Sequence, residues 1–214
     1  MSERSLTLPN LITGARIIAA PVVAWFAMAG GTGLRFAAFF LFLAAALSDL
    51  WDGYLARKHG WITDIGKLLD PLADKLLLAA TLIPFYLISH RPGVENDVPF
   101  WGPFPFWALA VLLGREIFIT GFRSYANRRG VVIAAGRSGK YKAFLQSLFA
   151  GALLLWYPLQ QWAVGRGLSG PVWNAWSLFH RAFIAVTLAV ALVLTVYSML
   201  DYLWRYRSLF GFRS

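Results

Sequence analysis

AFIAVTLAVALVLTVYSML, residues 182–200, runs for nineteen positions without an Asp, Glu, Lys or Arg. A helix needs about 20 apolar residues to cross the ~30 Å hydrocarbon core of a bilayer, so this stretch reads as a transmembrane span. Two more uncharged stretches, 17–34 and 143–165, read the same way. Three further apolar runs are interrupted by charge at one end. The run from 36 is neutral only to Asp49 and must continue to about Ala56. The run ending at Ser89 is neutral only back to Leu76, so its helix includes Lys75, Asp74 and Asp70. The run from about Pro105 is neutral only to Gly114 and takes in Arg115 and Glu116. Six spans follow, three clean and three carrying charge at one end.

Composition agrees. Of 214 residues, 58% are apolar and only 14% are charged, against roughly 45–50% and ~25% in soluble domains. So small a soluble globule has no interior for that many apolar side chains, and disorder requires the opposite composition. Ten Trp suit interfacial anchoring. The absence of Cys excludes disulfides, thiolate metal sites and a cysteine nucleophile. No repeat, linker or low-complexity tract divides the chain, which reads as one membrane domain over 1–214. Pro99, Pro103 and Pro105 mark a short external loop after the third span.

The net charge of +10 is explained by cytoplasmic loops rather than by nucleic acid. With the N-terminus inside, fourteen Lys and Arg fall on the cytoplasmic side, among them Arg4, Arg16, Arg57, Lys58, Arg128 and Arg129. Only Arg35, Arg91, Arg166 and Arg181 fall outside. The positive-inside rule then places both termini and all three charged helix ends in the cytoplasm. A cleavable signal peptide ending near Ala27-Met28-Ala29 is the rival reading of the first span. It is disfavoured because the charged region before the run is long and cleavage leaves an odd number of spans.

Five of the ten acidic residues lie between 49 and 74. Asp49 and Asp52 are at i, i+3 near the end of the second span, and Asp70 and Asp74 at i, i+4 near the start of the third. Each pair shares a helix face. The short connection makes the two helices antiparallel neighbours, which brings four carboxylates to the cytoplasmic edge of the membrane. Unneutralised, they would repel one another and be costly to desolvate. His59, His90 and His180 are scattered, leaving an all-oxygen site suited to Mg²⁺ or Mn²⁺, with room for two ions sharing carboxylates. Arg57, Lys75 and Arg115 stand ready for substrate phosphates.

The segment reads Asp49-x-x-Asp52-Gly53-x-x-Ala56-Arg57, eight residues, then Gly66-x-x-x-Asp70-x-x-x-Asp74. It resembles, without a mismatch, the signature of the CDP-alcohol phosphotransferase family. Eight residues are fixed over 26 positions, a chance match on the order of 10⁻¹⁰ per starting point. Intramembrane prenyltransferases also use Asp-rich helices with Mg²⁺, but their motifs are spaced differently and lack the Gly, Ala and Arg. The resemblance implies an all-α protein of six transmembrane helices, a homodimer, that transfers a phosphatidyl-type group from a CDP-linked donor to an alcohol and releases CMP. By the same likeness Asp49, Asp52, Asp70 and Asp74 hold the metals and Asp74 doubles as general base. Asp49, Gly53, Ala56, Arg57, Asp64 and Gly66 line the CDP site, with Gly66 letting the third helix start close to the second.

Flanking stretches bear on the acceptor. Leu8-Pro9-Asn10-Leu11-Ile12-Thr13 with Arg16, Gly114-Arg115-Glu116-Ile117 with Arg123, Gly139-Lys140-Tyr141-Lys142 with Gln146, and Tyr197–Tyr202 look like the bacterial branch that uses glycerol 3-phosphate. Ala143 departs from it, standing where a Thr is expected. This likeness implies CDP-diacylglycerol as donor, sn-glycerol 3-phosphate as acceptor, and a bacterial cytoplasmic membrane as the location. Arg115, Arg123, Lys140 and Lys142 are the expected contacts to the acceptor's phosphate. An inositol phosphate or phosphatidylglycerol acceptor is the alternative within the family. An ion transporter using the Asp cluster is the alternative outside it, and the nearly wholly apolar outer halves of the spans argue against one.

Overall fold

The computed structural model describes residues 7–59, 63–92, 96–129 and 137–207, with the side chains of 50, 52–57, 59, 64, 67, 68, 137, 138 and 140 outside the described set. Six helices follow in chain order: α1 (Leu8–Met28), α2 (Thr32–His59), α3 (Asp64–Ser89), α4 (Phe106–Arg128), α5 (Arg137–Gly165) and α6 (Pro171–Arg205). All but α4 are long and apolar enough to cross a membrane. In α4, no stretch of 18 residues avoids Arg115, Glu116 and Arg123. At 35 residues α6 is about 52 Å long, so its ends extend beyond the hydrocarbon. The protein is a helical membrane protein.

The first helix differs from the uncharged run that announces it. Pro9 opens α1 at its first turn, where proline's missing N–H costs nothing. Gly30 and Gly31, at φ of 76° and 84°, turn the chain into α2. The span is therefore 8–28 rather than 17–34, and Arg16 lies inside it rather than in the flank. Similarly, Gly167 and Gly170 at positive φ precede Pro171 at the start of α6.

The buried residues of α1 form one stripe: Asn10, Thr13, Arg16, Ala20, Val23 and Ala27, spaced by three or four as one helix face requires. Its small apolar end lets α1 pack on both α2 and α3. Among the described residues α2 and α3 barely touch, and α1 lies between them. The sequence pattern could not show this, because a short connection fixes only that two helices are close in space.

The other half is α5 packed on α6, joined to the first half through α2 on α5. Gly151 makes that junction possible, since a Cβ there would stand 3.3 Å from the ring of Phe42. The large buried side chains Leu82, Phe85, Ile88, Phe104 and Phe149 gather toward one end of the bundle, with Phe85 edge-on to Phe149 and Tyr157. That end is closed by the loop with Pro99, Pro103 and Pro105. There the buried Arg35 donates to Asn96 Oδ1 at 2.8 Å and Tyr157 donates to the Asn96 carbonyl at 3.0 Å.

Candidate active site

Thr63 caps α3 by accepting from the Gly66 N–H at 3.0 Å, and Asn10 of α1 donates to the same hydroxyl at 2.9 Å. A Cβ on Gly66 would fall 2.8 Å from Asn10 Oδ1 and 3.1 Å from Thr63 Oγ1. Among the described residues, Gly66 is thus a point of close approach between α3 and α1.

One and two turns further along α3 come Asp70 and Asp74. Both meet Arg16 of α1, as does Asp49 of α2. Arg16 Nη1 lies 2.5 Å from Asp49 Oδ1 and 3.1 Å from Asp74 Oδ1, while Nη2 is 3.8 Å from Asp70 Oδ1. Thr13, one turn before Arg16, donates to Asp70 Oδ1 at 2.7 Å. The guanidinium side chain is 2% exposed and the three carboxylates 42–59% exposed. Arg16 therefore forms the floor of a carboxylate cluster that opens toward a cavity. The structure brings Asp49, Asp70 and Asp74 together, through a residue whose role the spacing of the carboxylates did not suggest. The pattern Leu-Pro at a helix start with Asn, Thr and Arg at 10, 13 and 16 was the available signal. Proline at N1 puts all three inside the helix, on one face.

Among the described residues, no three His, Asp or Glu side chains stand close enough to hold one ion together. The side chains of Asp52, Gly53, Ala56, Arg57, Asp64 and Lys140 lie outside the described set. The donor chemistry nevertheless fits a hard divalent ion. Carboxylate oxygens of two different helices already converge on one cationic nitrogen, Arg16 Nη1, and every donor is oxygen.

Across the cavity stands a second charged group. Glu116 of α4 pairs with Arg115 at 3.1 Å and with Lys142 of α5. Arg123 donates through Nε to the Tyr202 hydroxyl of α6 at 2.8 Å. Three of the four expected acceptor-phosphate cations are thus brought to one wall. Glu116 and Tyr202, which hold them, were quoted in the motifs without a role. Arg128 is exposed, away from this wall.

Arg16, Asp49 and Asp74 of the first group, and Arg115, Glu116, Arg123, Lys142 and Tyr202 of the second, line a cavity of about 1070 Å³. Its described lining carries six Lys or Arg and four Asp or Glu, so it favours an anion. Beyond the charged region the lining turns apolar, with Phe39, Phe42, Leu78, Leu148, Phe179 and Phe183. Asp201, paired with Arg205 at 2.8 Å, lies at the same cavity rather than apart from it.

A probable phosphatidylglycerophosphate synthase of Mycobacterium tuberculosis is 32% identical over 205 residues, covering 94% of this chain and 82% of that protein. A CDP-diacylglycerol–glycerol-3-phosphate 3-phosphatidyltransferase of Bacillus subtilis is 37% identical over 160 residues, 69% of this chain and 76% of that protein. The second such enzyme of Arabidopsis thaliana is 36% identical over 163 residues, 72% of this chain and 66% of that protein. The profile of the CDP-alcohol phosphatidyltransferase family matches residues 6–197, taking in the whole signature and all six helices but the last turns of α6; with this match, the chain belongs to that family of membrane transferases.

Proposed function

We propose that the protein transfers the phosphatidyl group of CDP-diacylglycerol to sn-glycerol 3-phosphate, giving phosphatidylglycerol phosphate and CMP. The observation that carries this reading is one cavity lined by Asp49 and Asp74, by Arg115, Arg123 and Lys142, and by apolar side chains. It suits a ligand set combining a diphosphate, a second phosphate and acyl chains. The names of the relatives point to the same pair of substrates.

Dependence on a divalent metal is general in the family. Asp49, Asp52, Asp70 and Asp74 would hold it, as Mg²⁺ or Mn²⁺ and as two ions, and bound metal would supply neutralisation of the diphosphate charge. The chain's own residues do the rest. Gly53, Ala56, Arg57, Asp64 and Gly66 frame the nucleotide. Arg115, Arg123, Lys140 and Lys142 fix the acceptor's phosphate so that its C1 hydroxyl faces the β-phosphorus. Asp74 accepts the hydroxyl proton as the new O–P bond forms. The bond from the β-phosphorus to the bridging oxygen breaks in line, and the electron pair leaves with CMP. Direct transfer is favoured, because no nucleophile stands out for a covalent intermediate.

The whole chain, 1–214, acts as one domain and as a homodimer, with the active site facing the cytoplasm of a bacterial cell. With Arg16 counted inside its span, the asymmetry of thirteen basic residues against four supports that orientation. Since the chain has no native thiol, Arg128→Cys should resist an impermeant thiol reagent in intact cells while Leu168→Cys reacts; the reverse would overturn it. The function is tested by CMP release in mixed micelles with CDP-diacylglycerol and a panel of acceptors. Glycerol 3-phosphate should be preferred. Equal use of free glycerol, or preference for an inositol phosphate or phosphatidylglycerol, would replace the acceptor.

A further inference from the structure

Asp49 and Asp74 come from different helices and approach the same atom, Arg16 Nη1. Asp70 is turned toward the same guanidinium and is tied by Thr13. Arg16 is almost wholly buried while the carboxylates around it remain half exposed, Asp49 and Asp74 to the cavity. Three like charges on two helices that barely touch would drive α2 and α3 apart. The guanidinium, carried on the helix between them, holds them in place.

A divalent cation that bridged α2 and α3 through these Oδ1 atoms would need the space that Nη1 fills. A guanidinium left against it would also repel it strongly in so buried a position. We propose that Arg16 is a built-in counter-ion of the carboxylate cluster: it preassembles Asp49, Asp70 and Asp74 and competes with divalent metal for their oxygens. Arg16 is a positioning residue, and it also lines the cavity. Once displaced, it faces the region where an anionic ligand enters. A diphosphate arriving there gives it a new partner and favours metal loading, so that metal and donor bind as a coupled pair. The inference rests on the metal reading under Proposed function.

The test is Mn²⁺ binding to the purified, detergent-solubilised full chain without substrate, read by electron paramagnetic resonance. Arg16→Gln should bind Mn²⁺ about tenfold or more tightly than wild type, because a repelling charge is removed. Arg16→Lys, which keeps the charge, should stay within about threefold of wild type on the same ground. Thermal unfolding provides an independent readout. Without metal Arg16→Gln should melt below wild type, and saturating Mn²⁺ should raise its Tm by more than it raises that of wild type. Wild type alone also tests the displacement, whether or not the variant folds. The protected Arg16 should become reactive to an arginine-selective dicarbonyl when Mn²⁺ is added, as read by mass spectrometry. Equal or weaker Mn²⁺ binding by Arg16→Gln, or continued protection of Arg16 at saturating Mn²⁺, would overturn the counter-ion role and leave the metal reading standing. If neither protein binds Mn²⁺, the metal reading itself falls, and this inference with it.

Discussion

Gly66→Ala tests how the carboxylates are placed. The added methyl would stand 2.8 Å from Asn10 Oδ1 and 3.1 Å from Thr63 Oγ1, so the first contact must open by about 0.6 Å to reach an ordinary 3.4 Å. Asn10 is buried and bonded to Thr63, so it has no free rotamer to retreat into. Overpacking of this kind costs ~1–3 kcal/mol, and breaking the Asn10–Thr63 hydrogen bond adds ~1 kcal/mol. Alanine's better helix propensity returns up to ~1 kcal/mol. The net destabilisation is ~1–3 kcal/mol, a fall in Tm of about 2–12 °C for a chain of this size. Because Asp70 and Asp74 follow on the same helix, the shift should also lower turnover, by up to ~10²-fold for a displacement approaching 1 Å. Asn10→Ala removes the obstructing oxygen. The double variant should therefore be no less stable than Asn10→Ala alone, giving a coupling of at least ~1 kcal/mol. Unfolding in mixed micelles and CMP release, measured over all four members of the cycle, decide it. Additive losses would refute the close approach between α1 and α3.

Asp49→Asn, Asp70→Asn and Asp74→Asn should each lower CMP release by at least ~10²-fold, while Asp97→Asn in the opposite loop stays near normal; near-normal rates in two of the three would sink the shared site. Lys142→Ala should cost about 10- to 150-fold in kcat/KM for glycerol 3-phosphate, the worth of a charge-assisted contact, with little change in KM for CDP-diacylglycerol. Arg128→Ala serves as the silent control, and equal shifts in both KM values would end the assignment of separate anchors. Tyr202→Phe keeps the ring but deletes the oxygen that accepts from Arg123 Nε, so KM for glycerol 3-phosphate should rise about 2- to 12-fold; an unchanged KM would remove Arg123 from the acceptor site.

The membrane architecture and the identity of the chemistry were legible in the chain itself. Uncharged runs of span length leave a helix little choice, because every backbone polar group in hydrocarbon must be bonded internally. The signature from Asp49 to Asp74 and the cations from Arg115 to Lys142 were readable because spacing along a helix determines which side chains share a face. The ends of α1 were misplaced because neutrality of sequence does not locate a helix terminus. Pro9 and the two glycines after Met28 do.

Local periodicity carries no information about which helix lies between which. The sequence by itself determined six helices, their polar ends and the carboxylates and cations gathered at them. Only the tertiary structure decided that α1 packs on both α2 and α3 and that Arg16 joins Asp49 to Asp70 and Asp74. It also decided that Glu116 and Tyr202 hold the facing cations. The reason is physical: apart from the adjacent Arg115–Glu116 pair, these contacts join residues 26 to 79 positions apart, and they arise from the packing of helix against helix, a property of surfaces that meet in space.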